Sequence, residues 1–317
     1  MNPIENPFNP GAGIPPPELE GREALLEQAG IILARVLLGR GEKNLILTGL
    51  RGVGKTVLLN KIRVMAEGEG YKTIFIEASE EKPLAPQLAT GLGSLVYELS
   101  YMAAAGKAAK RAMRLLSGFI KSLKVAYQDF SISLDMGPDA GTAGTGDIEI
   151  DLPDLFQAVG NAAREQNTGV ALFIDEIQYL ESNELGALIM AIHRIQQHQL
   201  PVVLFAAGLP TLPGLAGDAK SYAERLFDFP IIGPLTEEES AKALNEPARA
   251  ANAHFEDDAI EEIFHKTKGY PYFLQEWGYQ SWNESPTPTI TLKVVKTATE
   301  KVVKRLDNNF FRFGLIG

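Results

Sequence analysis

Two short stretches carry residues that can do chemistry. The first is "GLRGVGKT", Gly49 to Thr56, flanked by the apolar run "KNLIL" and by "VLLNKIRVMAEGE", which has helical spacing. The pattern G-x-x-x-x-G-K-[ST] between a strand and a helix is a phosphate loop in the context it requires. Its glycines let the backbone wrap phosphates with the N–H groups turned inward. Lys55 neutralises β/γ-phosphates and Thr56 ligates Mg²⁺. The candidate nucleotide-binding residues here are Gly49, Gly52, Val53, Gly54, Lys55, Thr56 and Val57. The plainer alternative is a Gly-rich turn with no ligand. The second stretch is "ALFIDE", an apolar run ending in Asp175 and Glu176. Ligands of open α/β sheets bind at the carboxyl ends of strands, where these acids would stand. Asp175 is the candidate Mg²⁺ ligand beside Thr56, and Glu176 the general base that polarises water. Solvated acids at a strand end are the competing reading.

The elements that must position these groups follow from periodicity. "KNLILTG", "YKTIFIEA" (71–78), "GVALFIDE" (169–176), "LPVVLFAAG" (200–208) and "RLFDFPIIG" (225–233) read as strands. Near-continuous apolar strands separated by helical segments predict a parallel sheet covered on both faces. "ELEGREALLEQAGIILARVLLGR" (18–40) has helical spacing, closed by Gly39. The second-to-third strand connection spans about ninety residues, far beyond the usual α/β linker. It must hold its own structure, an insert over about 79–152. Within it two segments read as helices, the second carrying Lys107, Lys110, Arg111, Arg114, Lys121 and Lys124. "FSISLDM" and "DIEIDL" alternate with period two around "GPDAGTAGTG", which predicts a β-hairpin with a mobile tip.

After Gly233 the texture changes. "TEEE" (236–239) forms a capping box, Thr followed three residues later by Glu. Helices are expected at about 237–252, 256–267, 272–283 and 291–306, with Trp277 and Trp282 packing among them. The expected organisation is an extended arm over 1–17, where Pro15, Pro16 and Pro17 favour polyproline II. A P-loop core over 18–234 and a helical lid domain over 235–317 follow.

Composition narrows the classes. No cysteine is present, which removes disulfides, thiolate catalysis and Cys-ligated zinc. His193 and His198 lie five apart, which does not place them well on one helix face. No apolar run approaches the roughly 18 residues that span a bilayer, and the N-terminus lacks a secretory pattern. A cytoplasmic protein without membrane partners is expected. The net charge of -10 opposes a broadly basic nucleic-acid surface. The 107–124 helix gathers its cations on one side. It reads either as a solvated amphipathic face or as a surface for nucleic-acid phosphates or an acidic partner.

The motif pair and its order along the chain resemble P-loop ATPases of the AAA+ and STAND class, especially the bacterial and archaeal group related to replication initiators. "ELEGREALL" is similar to that family's N-terminal box against the adenine, which implies binding roles for Gly21 and Arg22. "SYAERLF" resembles the segment carrying an arginine finger, which makes Arg225 the candidate; a solvated strand-start cation is the alternative. "PIIGPLTEEES" resembles the hinge into the lid, and "KGYPYFLQ" the lid element that approaches nucleotide, at Gly269 and Pro271. The resemblance covers about residues 15–306. It implies ATP or ADP with Mg²⁺ as ligands, adenine rather than guanine, and a homo-oligomer or protein partner.

Two departures accompany the resemblance. In hydrolysing AAA+ proteins the fourth strand usually ends in Asn, Ser or Thr; here it ends "FAAGLP", with no polar side chain before Thr211. The lid element "GYPYFLQ" offers no arginine. The expected function is therefore a slow nucleotide-dependent switch or assembly ATPase working through lid motion. A non-hydrolysing nucleotide-binding scaffold is the alternative, with a small-molecule kinase a third. Relatives often carry a DNA-binding winged helix after the lid. The eleven residues beyond Leu306 are too few for one, so this chain is expected to bind nucleic acid weakly.

Overall fold

β1 (Asn44–Thr48), β3 (Val170–Asp175) and β4 (Val202–Gly208) are buried at every position, as runs without polar alternation must be. With β2 (Lys72–Glu77) and β5 (Phe227–Asp228) they form a five-stranded sheet, order β2-β3-β4-β1-β5. Every pairing is parallel. β4 thus separates β1 from β3. Register sets Phe173 opposite Phe205, and the two rings stack with centroids 5.5 Å apart. The computed structural model describes residues 1–11, 19–102, 106–126 and 144–307. They divide into two units. One comprises Leu26–Gly49 and Leu59–Ile231; the other comprises Met1–Leu25, Leu50–Leu58 and the chain from Ile232 onward.

The sheet unit is covered by helices. In chain order these are α1 (Glu23–Leu37), α2 (Lys55–Gly68), α3 (Leu84–Met102), α4 (Lys107–Ala126), α5 (Ile148–Glu165), α6 (Ser182–Gln197), α7 (Leu212–Ala219) and α8 (Ala223–Leu226). The first residues of α1 and α2 belong to the other unit. α5 packs between α4 and α6. α6 opens with a capping box of Glu181 and Glu184. Glu184 is 7% exposed, and its carboxylate accepts the N–H of Leu84, at the start of α3, at 2.6 Å.

The β-hairpin expected in the insert is corrected by α5. "DIEIDL" is the start of a helix, not a strand. Asp147 caps it, accepting the N–H of Glu149 at 2.9 Å. Leu152, Leu155, Phe156 and Val159 then recur at helical spacing and are buried. The period-two alternation lasted only a few residues, and cap plus helical spacing outweighed it. "FSISLDM" lies outside the described residues, as does the expected mobile tip up to residue 143. The described end of that tip is held. Asp151 accepts from the Thr145 N–H at 3.0 Å and the Gly146 N–H at 3.1 Å.

The second unit is built on α9 (Glu237–Ala250), α10 (Asp257–Thr267), α11 (Pro271–Glu284) and α12 (Leu292–Leu306), with a short parallel pair β6 (His254–Phe255) and β7 (Thr289–Ile290). Thr236 and Glu239 form the expected capping box. Trp277 and Trp282 are buried in the core of this unit. That core also contains Phe8, 2% exposed, which meets Phe255 edge-on at 5.8 Å. Residues 1–9 are stitched down along their length. The Met1 amine donates to Ser285 O, the Trp282 indole donates to Asn2 O at 2.9 Å, and Asn6 donates to Tyr279 O at 3.0 Å. Gly278 makes room for the strap, since a Cβ there would stand 2.6 Å from the Phe8 ring.

Candidate functional site

The phosphate loop turns through left-handed conformations at Gly52 (φ 84°) and Gly54 (φ 91°). Only glycine adopts such backbone without strain, which explains their spacing. Val53 is buried, as is Lys55 at 5% exposure. The Lys55 ammonium donates to Leu50 O at 3.0 Å, within the loop. The loop meets the start of α11 directly, where the Tyr272 N–H donates to Gly52 O at 3.2 Å. A Cβ at Gly52 would sit 3.3 Å from the Tyr272 Cβ. Gly269 and Pro271 therefore form the turn that brings Tyr272 onto the loop. Gly269 has φ 75°, and a Cβ on it would lie 2.0 Å from the Leu235 carbonyl oxygen. Its own carbonyl accepts the Leu235 N–H at 2.8 Å.

Gly21 and Arg22 belong to the same unit. Arg22 donates to Gly233 O at 2.5 Å. Burial lowers the guanidinium pKa, opposed by the charges of Glu239 and Glu23. A Cβ on Gly21 would stand 2.3 Å from the Glu239 carboxylate. Gly21 and Arg22 thus lie against Gly233 and the cap of α9. On α11, burial pushes the Glu276 carboxyl above its usual range; Arg305, at 3.5 Å, and the Tyr272 hydroxyl oppose this.

In the sheet unit, the end of β4 organises the acids. The Gly49 N–H donates to Gly208 O at 3.2 Å, which ties the residue opening the phosphate loop to β4. Asp175 ends β3 and is 3% exposed; its Oδ1 accepts the Glu176 N–H at 2.9 Å. Glu176 has φ 51° and ψ 37°, a left-handed conformation uncommon outside glycine. It leads into a 3₁₀ turn, Ile177–Tyr179. Gln178 on that turn donates from Nε2 to Glu176 Oε2 at 2.5 Å, and its Oε1 accepts the Leu209 N–H at 3.2 Å. Sequence reading passed over Gln178. Its only signal was a carboxamide two residues beyond the proposed base.

The remaining candidates stand apart. Thr211 is exposed, and its side chain makes no cap on α7. Arg225 is exposed on α8. On α4, Lys107, Lys110, Arg111 and Arg114 are exposed, while Ala109, Ala112, Leu116, Phe119 and Ile120 are buried. Among the described residues no group of three or more His, Cys, Asp or Glu is placed to hold a metal. Thr56 and Asp175 bring a hydroxyl and a carboxylate, oxygen donors of the kind Mg²⁺ takes together with substrate phosphates and water. Among the described residues no helix is long and apolar enough to cross a membrane.

The chain matches a family model described as "AAA ATPase domain" over residues 18–205. Comparison with curated proteins finds no match. Among solved structures, it is similar to Cdc6p from Pyrobaculum aerophilum. The TM-score is 0.58 at 16% identity, covering 95% of this chain and 71% of that one. It is also similar to the Thermotoga maritima RuvB Holliday junction branch migration motor. There the TM-score is 0.50 at 16% identity, covering 89% of this chain and 69% of that one. At such identity these likenesses bear on the fold.

Proposed function

The chain belongs to the AAA ATPase domain family, and from that premise we propose that it binds Mg-ATP and hydrolyses it slowly, as a cytoplasmic switch or assembly factor. The observation that supports this reading lies in the sheet unit, where the end of β4 is tied to Gly49 through Gly208 and to Glu176 through Gln178. Lys55 and the loop amides would hold the phosphates. Thr56 and Asp175 would hold Mg²⁺, which supplies charge neutralisation on the phosphate oxygens. Glu176 would accept a proton from water as the water oxygen bonds to the γ-phosphorus. The bond from that phosphorus to the β–γ bridging oxygen breaks, giving ADP and inorganic phosphate. Arg225, exposed on α8, would reach a neighbouring copy's nucleotide. Gly21 and Arg22, at the hinge, and Gly269 and Pro271, behind Tyr272, would couple the nucleotide to a helical lid domain. The direct bond from Tyr272 to Gly52 supports that coupling.

A non-hydrolysing scaffold is favoured by one observation: β4 ends in Gly208 and has no polar side chain of its own there. Phosphate release decides between the two readings. We expect turnover well below the median enzyme rate of roughly 10 s⁻¹. Glu176→Gln should lower it at least about a hundredfold, leaving a residual rate, while nucleotide affinity stays within threefold. A wild-type chain that binds ATP through Lys55 but releases no Glu176-dependent phosphate would be the scaffold.

A further inference from the structure

We propose that Gln178 is the positioning residue of the water-activating glutamate, supplying from the β3 side the polar group that β4 lacks. The inference rests on the hydrolytic reading above and concerns the same site. A carboxamide presents one acceptor and two donors. Here the acceptor meets a backbone N–H and a donor meets a carboxylate, so chemistry fixes the orientation of the amide. Gln178 Nε2 donates to Glu176 Oε2. The bond from Leu209 anchors the same amide to the segment leaving β4. Glu176 itself sits in left-handed backbone, φ 51°, which persists where the surrounding structure over-determines it.

Gly208 completes the arrangement. A Cβ there would lie 2.4 Å from Gln178 Oε1 and 2.6 Å from Leu212 Cδ1. A side chain at this strand end would have to displace the Gln178 amide. One hydrogen-bonded path therefore runs from Gly49 to Gly208, on through Leu209 to Gln178, and ends on the Glu176 carboxylate. It links the residue that opens the phosphate loop to the group that activates water. The hydroxyl or amide missing from "FAAGLP" is replaced by one reaching across from the neighbouring strand's turn.

The test is single-turnover and steady-state ATP hydrolysis by the full chain, with nucleotide affinity measured on each variant. Gln178→Ala should lower kcat at least tenfold with affinity within threefold of wild type. In a Glu176→Gln background the same change should alter the residual rate less than twofold, because Gln178 acts through Glu176. Gly208→Ala, which intrudes on the amide oxygen rather than removing it, should reproduce the loss in kcat. The proposal is overturned if Gln178→Ala leaves kcat within twofold or raises it. It is equally overturned if the loss persists undiminished without Glu176. Failure of the hydrolytic reading looks different: no Glu176-dependent phosphate release from the wild type, which removes this proposal with it.

Discussion

Lys55 is the cation of the phosphate loop, and its burial at 5% exposure makes it costly to lose and hard to replace. Lys55→Ala should weaken ATP binding at least tenfold, about 1.4 kcal/mol, measured by calorimetry; unchanged affinity would remove the phosphate role. Gly269 matters for a different reason. Its left-handed φ of 75° and the Leu235 carbonyl oxygen 2.0 Å from any Cβ leave room for no side chain. Because that neighbour is backbone, it cannot swing aside. Gly269→Ala should cost at least about 1–3 kcal/mol through backbone strain. It should also loosen the turn that presents Tyr272. Thermal unfolding reads the first effect, and an ATP affinity measured at low temperature reads the second.

At the level of elements, Glu184 joins two helices with one carboxylate. It accepts the Leu84 N–H at the head of α3 and the Glu181 N–H in its own capping box, the latter at 3.2 Å. Truncation orphans both donors, so Glu184→Ala should cost about 1–3 kcal/mol, measured by denaturant unfolding. The pH dependence has a definite sign. Burial raises the Glu184 pKa above its ordinary value of 4.5, more than its backbone hydrogen bonds lower it. The folded state then holds the proton more tightly than the unfolded chain. That contribution to stability is full below pH 4.5 and fades as pH rises towards the folded value. The alanine variant lacks this decline, so the gap between the two proteins should narrow with rising pH over that window. A gap that widens would show the carboxylate to be favoured by its site.

Across the helical unit, the N-terminal strap behaves as part of the core. Phe8 fills a space bounded by Phe255 and Gly278. Phe8→Ala should destabilise the unit by about 3–5 kcal/mol, visible as a lower midpoint in thermal unfolding followed by tryptophan fluorescence. An unaffected midpoint would mean that the strap adds nothing to the fold. The molecule's charge bears on nucleic acid. A net charge of -10 repels duplex at long range, and the exposed cations of α4 offer phosphate contacts without reading bases. Duplex affinity should lie near the non-specific range of roughly 10⁻⁴–10⁻⁶ M at physiological salt. It should vanish when Lys107, Lys110, Arg111 and Arg114 become Ala. Tight, sequence-selective binding in a salt titration would make the insert a recognition element.

The phosphate loop, the acid pair, the first four strands and the four C-terminal helices were legible because each is written locally, whereas the strand expected over 225–233 is only Phe227–Asp228, preceded by the helical turn of α8 that carries Arg225. Glycines at Gly52 and Gly54 announce a left-handed turn, apolar runs announce buried strands, and Thr236 with Glu239 announces a helix start. Local pattern misled at "DIEIDL", where a few alternating residues competed with a cap and helical spacing, and packing of α5 between α4 and α6 settled the outcome. What no local pattern could show is long-range pairing. Phe8 finds its place against Gly278 because a side chain and a missing one must coincide in space. Gln178 finds Gly208 for the same reason: parallel pairing of β3 with β4 brings a turn and a strand end together that lie far apart in the chain. Residue type and spacing pointed to the chemistry, and only the tertiary structure decided which amide holds the glutamate, because that contact exists only once the strands are side by side.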